Sequence, residues 1–204
     1  AAFKVFGVVL ERHSDKSFED RVKEAARAAP DILATSLRSL LAILQPVCTQ
    51  IALLDRLTMT QAKETAMARH LMSVPGVGPV TAMAFVTAVE DPARFRKSRS
   101  VGAYFGLTPR RYQSGEVDAS GRISKCGDPL VRAYLFEAAT ALLTTCKKWS
   151  ALKAWGLRIA KRSGINKARI AVARKLAVIL HQMWTTGEDF RWSNKGNETE
   201  VAAA

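Results

Sequence analysis

Seven apolar residues in the first third of the chain recur at alternating intervals of four and three. They are Leu33, Leu37, Leu40, Leu44, Val47, Ile51 and Leu54. Such a heptad repeat predicts one long helix with a narrow apolar seam, because a helix packed on its own domain presents a wider stripe. Both a coiled-coil or helical-hairpin arm and an ordinary core helix fit this pattern. Pro46 lies inside the seam and predicts a kink, since proline lacks an amide hydrogen and clashes with the preceding turn.

Start and stop signals along the chain predict a mainly all-α fold with one irregular loop or hairpin. Serine, aspartate and asparagine accept hydrogen bonds from first-turn amides, proline is tolerated in the first turn, and glycine often ends a helix. The signals predict helices from Ser17 until Pro30, from Asp31 onward, from Ala66 to Ser73, from Pro79, from Ser98 or Ser100 to Phe105, from Asp128 to Cys146, from about Ser150 to Arg162, and from an Asn166 cap to Thr186. Residues 106–127, rich in Gly, Pro, Ser and Arg, are predicted to form the loop or hairpin.

Basic residues dominate the later part of the chain. The net charge is +13, and residues 71–204 hold 21 Lys and Arg against ten Asp and Glu. No acidic residue lies between Glu137 and Glu188, although ten basic residues do. A solvated surface is the plainer interpretation, but so long a stretch without a carboxylate favours a polyanionic partner. Four tryptophans could stack on bases, although tryptophan at helical spacing is more often a core residue. They are Trp149, Trp155, Trp184 and Trp192.

Composition and spacing exclude several other classes of protein. An apolar content of 48% is enough for a core and argues against global disorder. The longest apolar run, Val80 to Val89, is about ten residues and is too short to span a bilayer, so no membrane partner is expected. Three cysteines cannot all pair within one chain and no signal peptide is visible, which favours the cytoplasm. Three scattered histidines without a Cys-x-x-Cys pair predict no metal site.

The turn between residues 75 and 78 is a candidate phosphate-binding element. Gly76 and Gly78 lie in Pro-Gly-Val-Gly just before the helix that Pro79 begins, so the local pattern is helix–hairpin–helix. Successive backbone amides at a helix N-terminus bind phosphate without reading bases, and the hydroxyl of Thr81 could add a contact. A plain helix–turn–helix corner with packing glycines is the alternative.

Ser114 is the candidate nucleophile. A serine hydroxyl needs a base, a lowered pKa or a metal to react, and no histidine lies near it in sequence. Gly115 would let the backbone approach a substrate, and neighbouring cations could stabilise a pentacovalent phosphate. An ordinary turn serine on a DNA-contact loop is the alternative, and Ser124 is the rival nucleophile. The candidate DNA-binding cations are Arg110, Arg111, Arg122, Lys125, Arg132, Lys167 and Arg169.

With these motifs, the chain resembles the DEDD insertion-sequence transposases of the insertion-sequence "one-ten" family, which include Piv-like invertases and bridge-RNA-guided serine recombinases. The resemblance covers residues 66–192 strongly and the preceding helices more loosely, as the coiled-coil linker of that family. The matching segments are Leu-Met-Ser-Val-Pro-Gly-Val-Gly-Pro-Val-Thr-Ala from Leu71, Phe-Arg-Lys-Ser-Arg from Phe95, Gly-Ala-Tyr-Phe-Gly-Leu-Thr-Pro-Arg-Arg-Tyr-Gln-Ser-Gly from Gly102, Gly-Arg-Ile-Ser-Lys-Cys-Gly-Asp from Gly121, and Val-Arg-Ala-Tyr-Leu-Phe-Glu-Ala-Ala from Val131.

The resemblance implies a two-part enzyme. An N-terminal RuvC-like domain would supply four metal-binding acids, with Mg²⁺ expected for the full-length enzyme, and a C-terminal transposase domain would supply a serine that joins covalently to DNA. In the family pattern that serine belongs to a Ser-Gly pair, which favours Ser114 over Ser124. The expected divisions are residues 1–16 as the end of a RuvC-like domain, 17–65 as a helical linker, 66–192 as the transposase domain and 193–204 as a disordered tail.

The chain is expected to depart from the family pattern, because none of its segments resembles the RuvC-like domain. We therefore expect a recombinase fragment that binds DNA, or a guide RNA, and is inactive alone. It is expected to form homo-oligomers through the helical arm and to associate with the nucleoid in the cytoplasm. The alternative is a non-catalytic helix–hairpin–helix module that binds DNA or RNA.

Overall fold

The computed structural model describes residues 17–114 and 117–193, with residues 117–120 described through their backbone. This part of the chain holds eight α-helices and one two-stranded antiparallel sheet, which confirms the mainly all-α prediction. The elements are α1 (Phe18–Arg27), α2 (Asp31–Glu64), α3 (Ala66–Leu71), α4 (Pro79–Val89), a 3₁₀ helix (Pro92–Arg94), α5 (Arg99–Tyr104), β1 (Pro109–Ser114), β2 (Val117–Ile123), α6 (Pro129–Thr144), α7 (Ala151–Ser163) and α8 (Ile165–Thr186). The expectations for residues 1–16 and 194–204 lie outside the described residues.

The chain divides into two compact units, residues 1–57 and 58–204. In the first, α1 packs on the beginning of α2. The Ser17 hydroxyl accepts a hydrogen bond from the Asp20 amide at 3.2 Å and donates to its carboxylate, which confirms the predicted cap. Hydrogen bonds to Glu19, first from Lys23 and then from Gln45, hold the pKa of that carboxyl below its usual value. The small core of this unit consists of Val22, Ala26, Ala34, Leu37 and Leu41.

The helix α2 carries the heptad seam. It runs without interruption through Pro46, so the proline does not end it. Leu37 is buried and Leu33 half-buried, since both pack in the core that α1 helps to form. The other five seam residues expose between 38% and 60% of their surface in the described chain: Leu40, Leu44, Val47, Ile51 and Leu54. From Leu40 to Leu54 the seam is therefore an apolar surface rather than part of a core.

Among the described helices, α2 is the one that is long and apolar enough to cross a bilayer by length and composition. Its most apolar 18-residue window has a mean hydropathy of 1.5. The length of unbroken apolar runs does not identify this window, because uncharged polar residues such as Thr49 and Gln50 interrupt its apolar residues. Since a helix with one apolar face in a water-exposed protein passes the same test, it carries no membrane assignment.

The second unit is organised around α8. Seven residues of this helix are fully or almost fully buried along the face that packs on α5, α6 and α7: Ala168, Val172, Ala173, Leu176, Ala177, Leu180 and His181. Small residues let the neighbouring helices approach closely. On α7, a Cβ atom added to Gly156 would lie 2.7 Å from both Leu143 and Val172.

In this unit the predicted Asp128 cap is confirmed, the helix predicted from about Ser150 is capped by that serine, and the predicted Asn166 cap is wrong. The Asp128 carboxylate accepts from the amides of Leu130 (2.7 Å) and Val131 (3.2 Å) and starts α6. Ser150 caps α7 through the Lys153 amide at 3.1 Å. Asn166, by contrast, does not cap α8. That helix begins one residue earlier, because Gly164 ends α7 and starts α8 at once.

A buried histidine that the sequence pattern did not single out holds α8 against the segment before α5. His181 is 1% exposed. Its Nε2 lies 3.0 Å from the carbonyl oxygen of Pro92 and its Nδ1 lies 2.9 Å from the Ser98 hydroxyl. A carbonyl can only accept, so Nε2 carries a hydrogen and donates it to Pro92, while Nδ1 shares a hydrogen bond with the Ser98 hydroxyl. Ser98 therefore bonds to α8 instead of capping α5 with its side chain.

Candidate serine site and nucleic-acid interface

The segment that holds the candidate serine is a hairpin. Strands β1 and β2 pair in antiparallel register, and Ser114 pairs with Val117. Residues 115 and 116, including the predicted contact Gly115, lie outside the described residues. All six residues of β1 are exposed, and the strands contact each other without extensive contact to any helix of the described chain. Ser114 therefore lies at the outer end of an exposed two-stranded arm.

The hairpin register contains an irregularity near its base. Pro109 pairs with Ile123 and Arg111 with Ser120, so that Arg110 faces two residues of β2. Such a bulge bends the strand and increases its twist. Further out, the Tyr112 ring covers Gly121, since an added Cβ atom there would lie 2.8 Å from the ring. The tyrosine is still 58% exposed and presents an aromatic surface on the arm.

Four predicted DNA-binding cations lie on this arm or at its base, and all four are exposed: Arg110, Arg111, Arg122 and Lys125. The guanidinium of Arg110 donates to the Ser124 carbonyl at 3.2 Å. The arm also includes two acidic residues, at positions 116 and 118. The four cations outnumber them, so the net charge of the arm and its base is positive. An exposed basic ribbon of this kind can lie along a nucleic-acid backbone.

Hydrogen bonds from a side chain of α6 to two backbone carbonyls hold the base of the arm in place. Arg132, at the start of α6, donates to the carbonyls of Phe105 (3.2 Å) and Cys126 (2.9 Å). Its guanidinium, predicted to contact DNA, thus joins the two chain segments that enter and leave the arm. Gly127 has φ +73, and a Cβ atom there would lie 2.0 Å from the Tyr104 carbonyl. The sequence offered a signal for this, since a glycine directly precedes the Asp128 cap.

Ser124, the rival nucleophile, lies at the base of the arm. It is half-buried, and its amide donates to the Thr108 carbonyl at 2.9 Å. The next residue, Lys125, has φ +57, a left-handed conformation that costs a residue other than glycine about 1–3 kcal/mol. The two serines thus differ in setting, since Ser114 is exposed near the end of the arm and Ser124 is held in its base.

The glycine turn joins α3 to α4, as predicted, but its members differ. Gly76 has φ +88 and packs on α6, where an added Cβ atom would lie 2.4 Å from the Ala138 carbonyl. Gly78 is the N-cap of α4 and has open space where a Cβ atom would be. Thr81 is 8% exposed, so its hydroxyl lies below the surface. Of the three residues, Gly78 is the one with open space at its surface.

Lys167 and Arg169 lie in the first turns of α8. Lys167 is exposed. Arg169 is half-buried, with its guanidinium 6.0 Å from the ring centre of Phe136 and one nitrogen donating to Asn166 at 3.3 Å. Its Nε atom is buried without a hydrogen-bond partner in the described chain. Lys167 is therefore the more accessible of the two cations.

The resemblance to metal-dependent recombinases raises the question of a metal site. Within residues 17–114 and 117–193, no three His, Cys, Asp or Glu side chains come together in a way that could hold a metal ion. The described residues do not fit the expected Mg²⁺. The site on this part of the chain consists instead of a hydroxyl, several cations and exposed backbone.

Comparisons with known proteins agree on one family. Residues 68–155 match the family model of the transposase IS116/IS110/IS902 family, a range that includes the glycine turn and the basic arm. The chain is 35% identical over 131 residues to the transposase for insertion sequence element IS1111A of Coxiella burnetii, covering 64% of this chain and 36% of that protein. It is 33% identical over 152 residues to a probable family 20 transposase of Pseudomonas aeruginosa, covering 74% and 45%.

A more distant relative is a gene-inverting protein and not a transposase by name. The chain is 28% identical over 111 residues to the pilin gene-inverting protein of Moraxella bovis, covering 53% of this chain and 34% of that protein. In all three cases the chain spans less than half the length of the curated relative that it matches.

Proposed function

We propose that this chain, whose residues 68–155 belong to the transposase IS116/IS110/IS902 family, acts in DNA transposition or recombination by binding the DNA backbone with its basic arm and attacking it with Ser114. The observation that carries the proposal is the exposure of Ser114 at the outer end of a hairpin with four basic residues on it or at its base. The names of the relatives, several transposases and a gene-inverting protein, support the same kind of reaction.

The proposed step is a transesterification. The Ser114 Oγ atom attacks a backbone phosphorus, an Oγ–P bond forms and one P–O bond to deoxyribose breaks. The serine hydroxyl gives its proton to water, and the departing deoxyribose oxygen takes up a proton. Exposed cations such as Arg122 and Lys125 would stabilise the charge that accumulates on the phosphate oxygens, which is the main catalytic task in phosphoryl transfer.

The partners and the rest of the machinery are part of the same proposal. DNA is the main partner, and a guide RNA could contact the basic stretch 147–175. The Mg²⁺ chemistry expected for the full-length enzyme would use carboxylates from outside the described residues, so the chain alone is expected to bind DNA without cleaving it. Its place of action would be the nucleoid in the cytoplasm. The exposed seam of α2 is proposed to join two or more copies.

An activated substrate tests Ser114 directly. The chain is incubated with DNA duplexes that contain a single 3′- or 5′-bridging phosphorothiolate, whose thiolate leaves more easily than an alkoxide. Trypsin then separates the two candidates, because Ser114 lies in the peptide 112–122 and Ser124 in the peptide 123–125. We expect mass spectrometry to find the nucleotide on the peptide 112–122.

Two matched variants serve as controls for this experiment. Ser114→Ala should abolish the adduct, whereas Ser124→Ala should retain it, with both proteins binding the duplex as the unmodified chain does. An adduct on the peptide 123–125 would transfer the role to Ser124. If neither phosphorothiolate gave an adduct, the nucleophile assignment would be abandoned.

A non-catalytic DNA- or RNA-binding module is the second candidate function. The observation in its favour is that neither described histidine serves Ser114 as a base. His70 bonds to the Glu188 carbonyl at 3.1 Å, and His181 is occupied by Ser98 and Pro92. This module would bind duplex DNA without sequence preference and with steep salt dependence, and Ser114→Ala would change nothing.

A further inference from the structure

The second unit, residues 58–204, contains a cavity of about 720 Å³ between α7, α8 and residues 188–191. Its walls include Leu152, Met183 and Phe190, each of which is less than a tenth exposed. The volume lies within the range of sites that enclose a small molecule or one unit of a polymer. The apolar walls call for a ligand with a flat or apolar part, and not for a simple anion.

The charged residues that line the cavity leave it positive. Arg158 and Lys175 are exposed at its edge, and neither forms an ion pair with any carboxylate of the described residues. One of the two carboxylates in the lining is paired with a lining arginine, and the other lies beside a histidine that forms an ion pair with it only when protonated. Glu188 accepts from Arg191 at 2.8 Å, and the Asp189 carboxylate lies 3.5 Å from Nδ1 of His70. An anionic ligand would therefore meet two unpaired cations.

An indole ring lies beside these cations. Trp155 lines the same cavity, is half-buried against the core, and precedes Arg158 by three residues on α7. Residues three apart on a helix are neighbours on one face. The α8 side of the cavity contributes Lys175 and Ile179, which lie one helical turn apart, and Gln182 in the next turn. The cavity thus combines a surface for ring stacking, two cations for phosphate and an amide that can pair with a base edge.

We propose that this cavity binds one unpaired nucleotide of a nucleic-acid strand, with the base against Trp155 and its phosphate at Arg158 and Lys175. The inference rests on the proposed function, because strand exchange exposes unpaired bases that a duplex hides. The cavity holds the extruded nucleotide, while the arm contacts the duplex. DNA and RNA share the base and phosphate that are recognised here, and the experiment distinguishes them.

The binding of labelled single strands tests whether Arg158 and Lys175 contact the phosphate. Fluorescence anisotropy follows the affinity of the full chain for a dT₁₂ strand, an rU₁₂ strand and a duplex. The cavity variant Arg158→Ala/Lys175→Ala is compared with Arg96→Ala/Lys97→Ala, which removes the same two charge types from an exposed turn. We expect the cavity variant to bind one or both single strands at least tenfold more weakly, and the control to lose less than threefold. The salt slope should fall by about 0.7, the value for the loss of one neutralised phosphate on a single strand.

Photocrosslinking tests the position of the base. Strands with one 5-iodouracil are irradiated on the unmodified chain, and the crosslink is located by tryptic mapping. Trp155 lies in the peptide 154–158, whereas the exposed Trp149 lies in the peptide 149–153. A crosslink on the peptide 154–158 supports the cavity. A crosslink confined to the peptide 149–153, or equal losses in the two double variants, overturns it.

Failure of this inference is distinguishable from failure of the proposed function. The cavity variant should still form the Ser114 adduct on phosphorothiolate duplexes. A chain that forms the adduct but binds neither single strand would refute the cavity assignment alone. A chain that crosslinks at Trp155 but forms no adduct would refute the nucleophile alone. A loss with the RNA strand and not with the DNA strand would assign the cavity to RNA, and the reverse would assign it to DNA.

Discussion

Gly76 and Gly78 lie two residues apart in the turn between α3 and α4, yet their surroundings differ. Gly76 has φ +88, and an added Cβ atom would lie 2.4 Å from the Ala138 carbonyl on α6. A backbone carbonyl within a helix cannot move aside cheaply. Gly78 has φ −92 and open space around its Cβ position. Gly76 is thus needed for packing, while Gly78 can approach a phosphate.

This difference predicts unequal effects on stability. Gly76→Ala should lower the free energy of unfolding by about 2–3 kcal/mol, because it adds both a clash and a strained φ angle. Gly78→Ala should cost less than about 1 kcal/mol, the usual difference between these residues at an N-cap. Urea titrations followed by tryptophan fluorescence measure this, since all four tryptophans lie in the unit 58–204. Equal losses in the two variants would contradict the packing role of Gly76.

At the scale of elements, α2 and the basic arm are both exposed, for different reasons. The arm has polar and cationic side chains that water and phosphate can satisfy. The helix α2 instead exposes five apolar seam residues, of which Leu40 and Leu54 are 60% and 59% exposed. Exposed apolar rows of this kind commonly mark a protein interface. A second copy of the chain would cover the seam with an identical one.

The molar mass of the protein in solution tests whether the seam joins two copies of the chain. We expect the chain to form at least a dimer at micromolar concentration, and Leu44→Lys/Ile51→Lys to reduce it to one chain. The control Ala42→Lys/Thr49→Lys adds the same charges to exposed positions on the opposite face of the heptad and should leave the mass unchanged. Size-exclusion chromatography with light scattering provides the measurement. A single-chain mass for the unmodified protein would rule out this interface.

At the scale of the whole molecule, the chain has a strong positive charge, whereas its described residues form no cluster of metal ligands. The net charge of +13 suits binding to a polyanion. By contrast, the described residues bring no metal-ligating cluster together. The proposed function therefore predicts that the chain alone binds DNA and does not cleave it.

That separation can be measured on supercoiled DNA. The purified chain should shift the plasmid in a gel, and the shift should weaken steeply between 50 and 200 mM salt, as counterion release requires. We expect no nicked product with Mg²⁺ over the same range. Nicking that survives Ser114→Ala would refute both the inactivity and the role of Ser114, and a nicking activity that needs Ser114 would refute the inactivity alone.

Local signals predicted most of the helix boundaries. Ser17 and Asp128 cap their helices as expected, and Ser150 caps the helix that was predicted to begin near it, because each cap depends on a side chain and an amide two or three residues away. The Asn166 cap failed since it depended on the end of the preceding helix. Gly164 turns the chain abruptly enough to end α7 and start α8, which leaves Asn166 inside the first turn. The two glycines of the turn could not be told apart either, because the contact of Gly76 comes from residues about sixty positions away.

The sequence by itself determined the helical class, the basic character and the segments that are similar to the transposase family, since these depend on residue type and short spacing. The tertiary structure alone decided which candidates are accessible. It placed Ser114 at the exposed end of a hairpin and Ser124 in its base, and it assigned Arg132 to two backbone carbonyls. It also joined α7, α8 and residues 188–191 around one cavity. These features depend on contacts between residues far apart in the chain, and such contacts form only when the unit is packed.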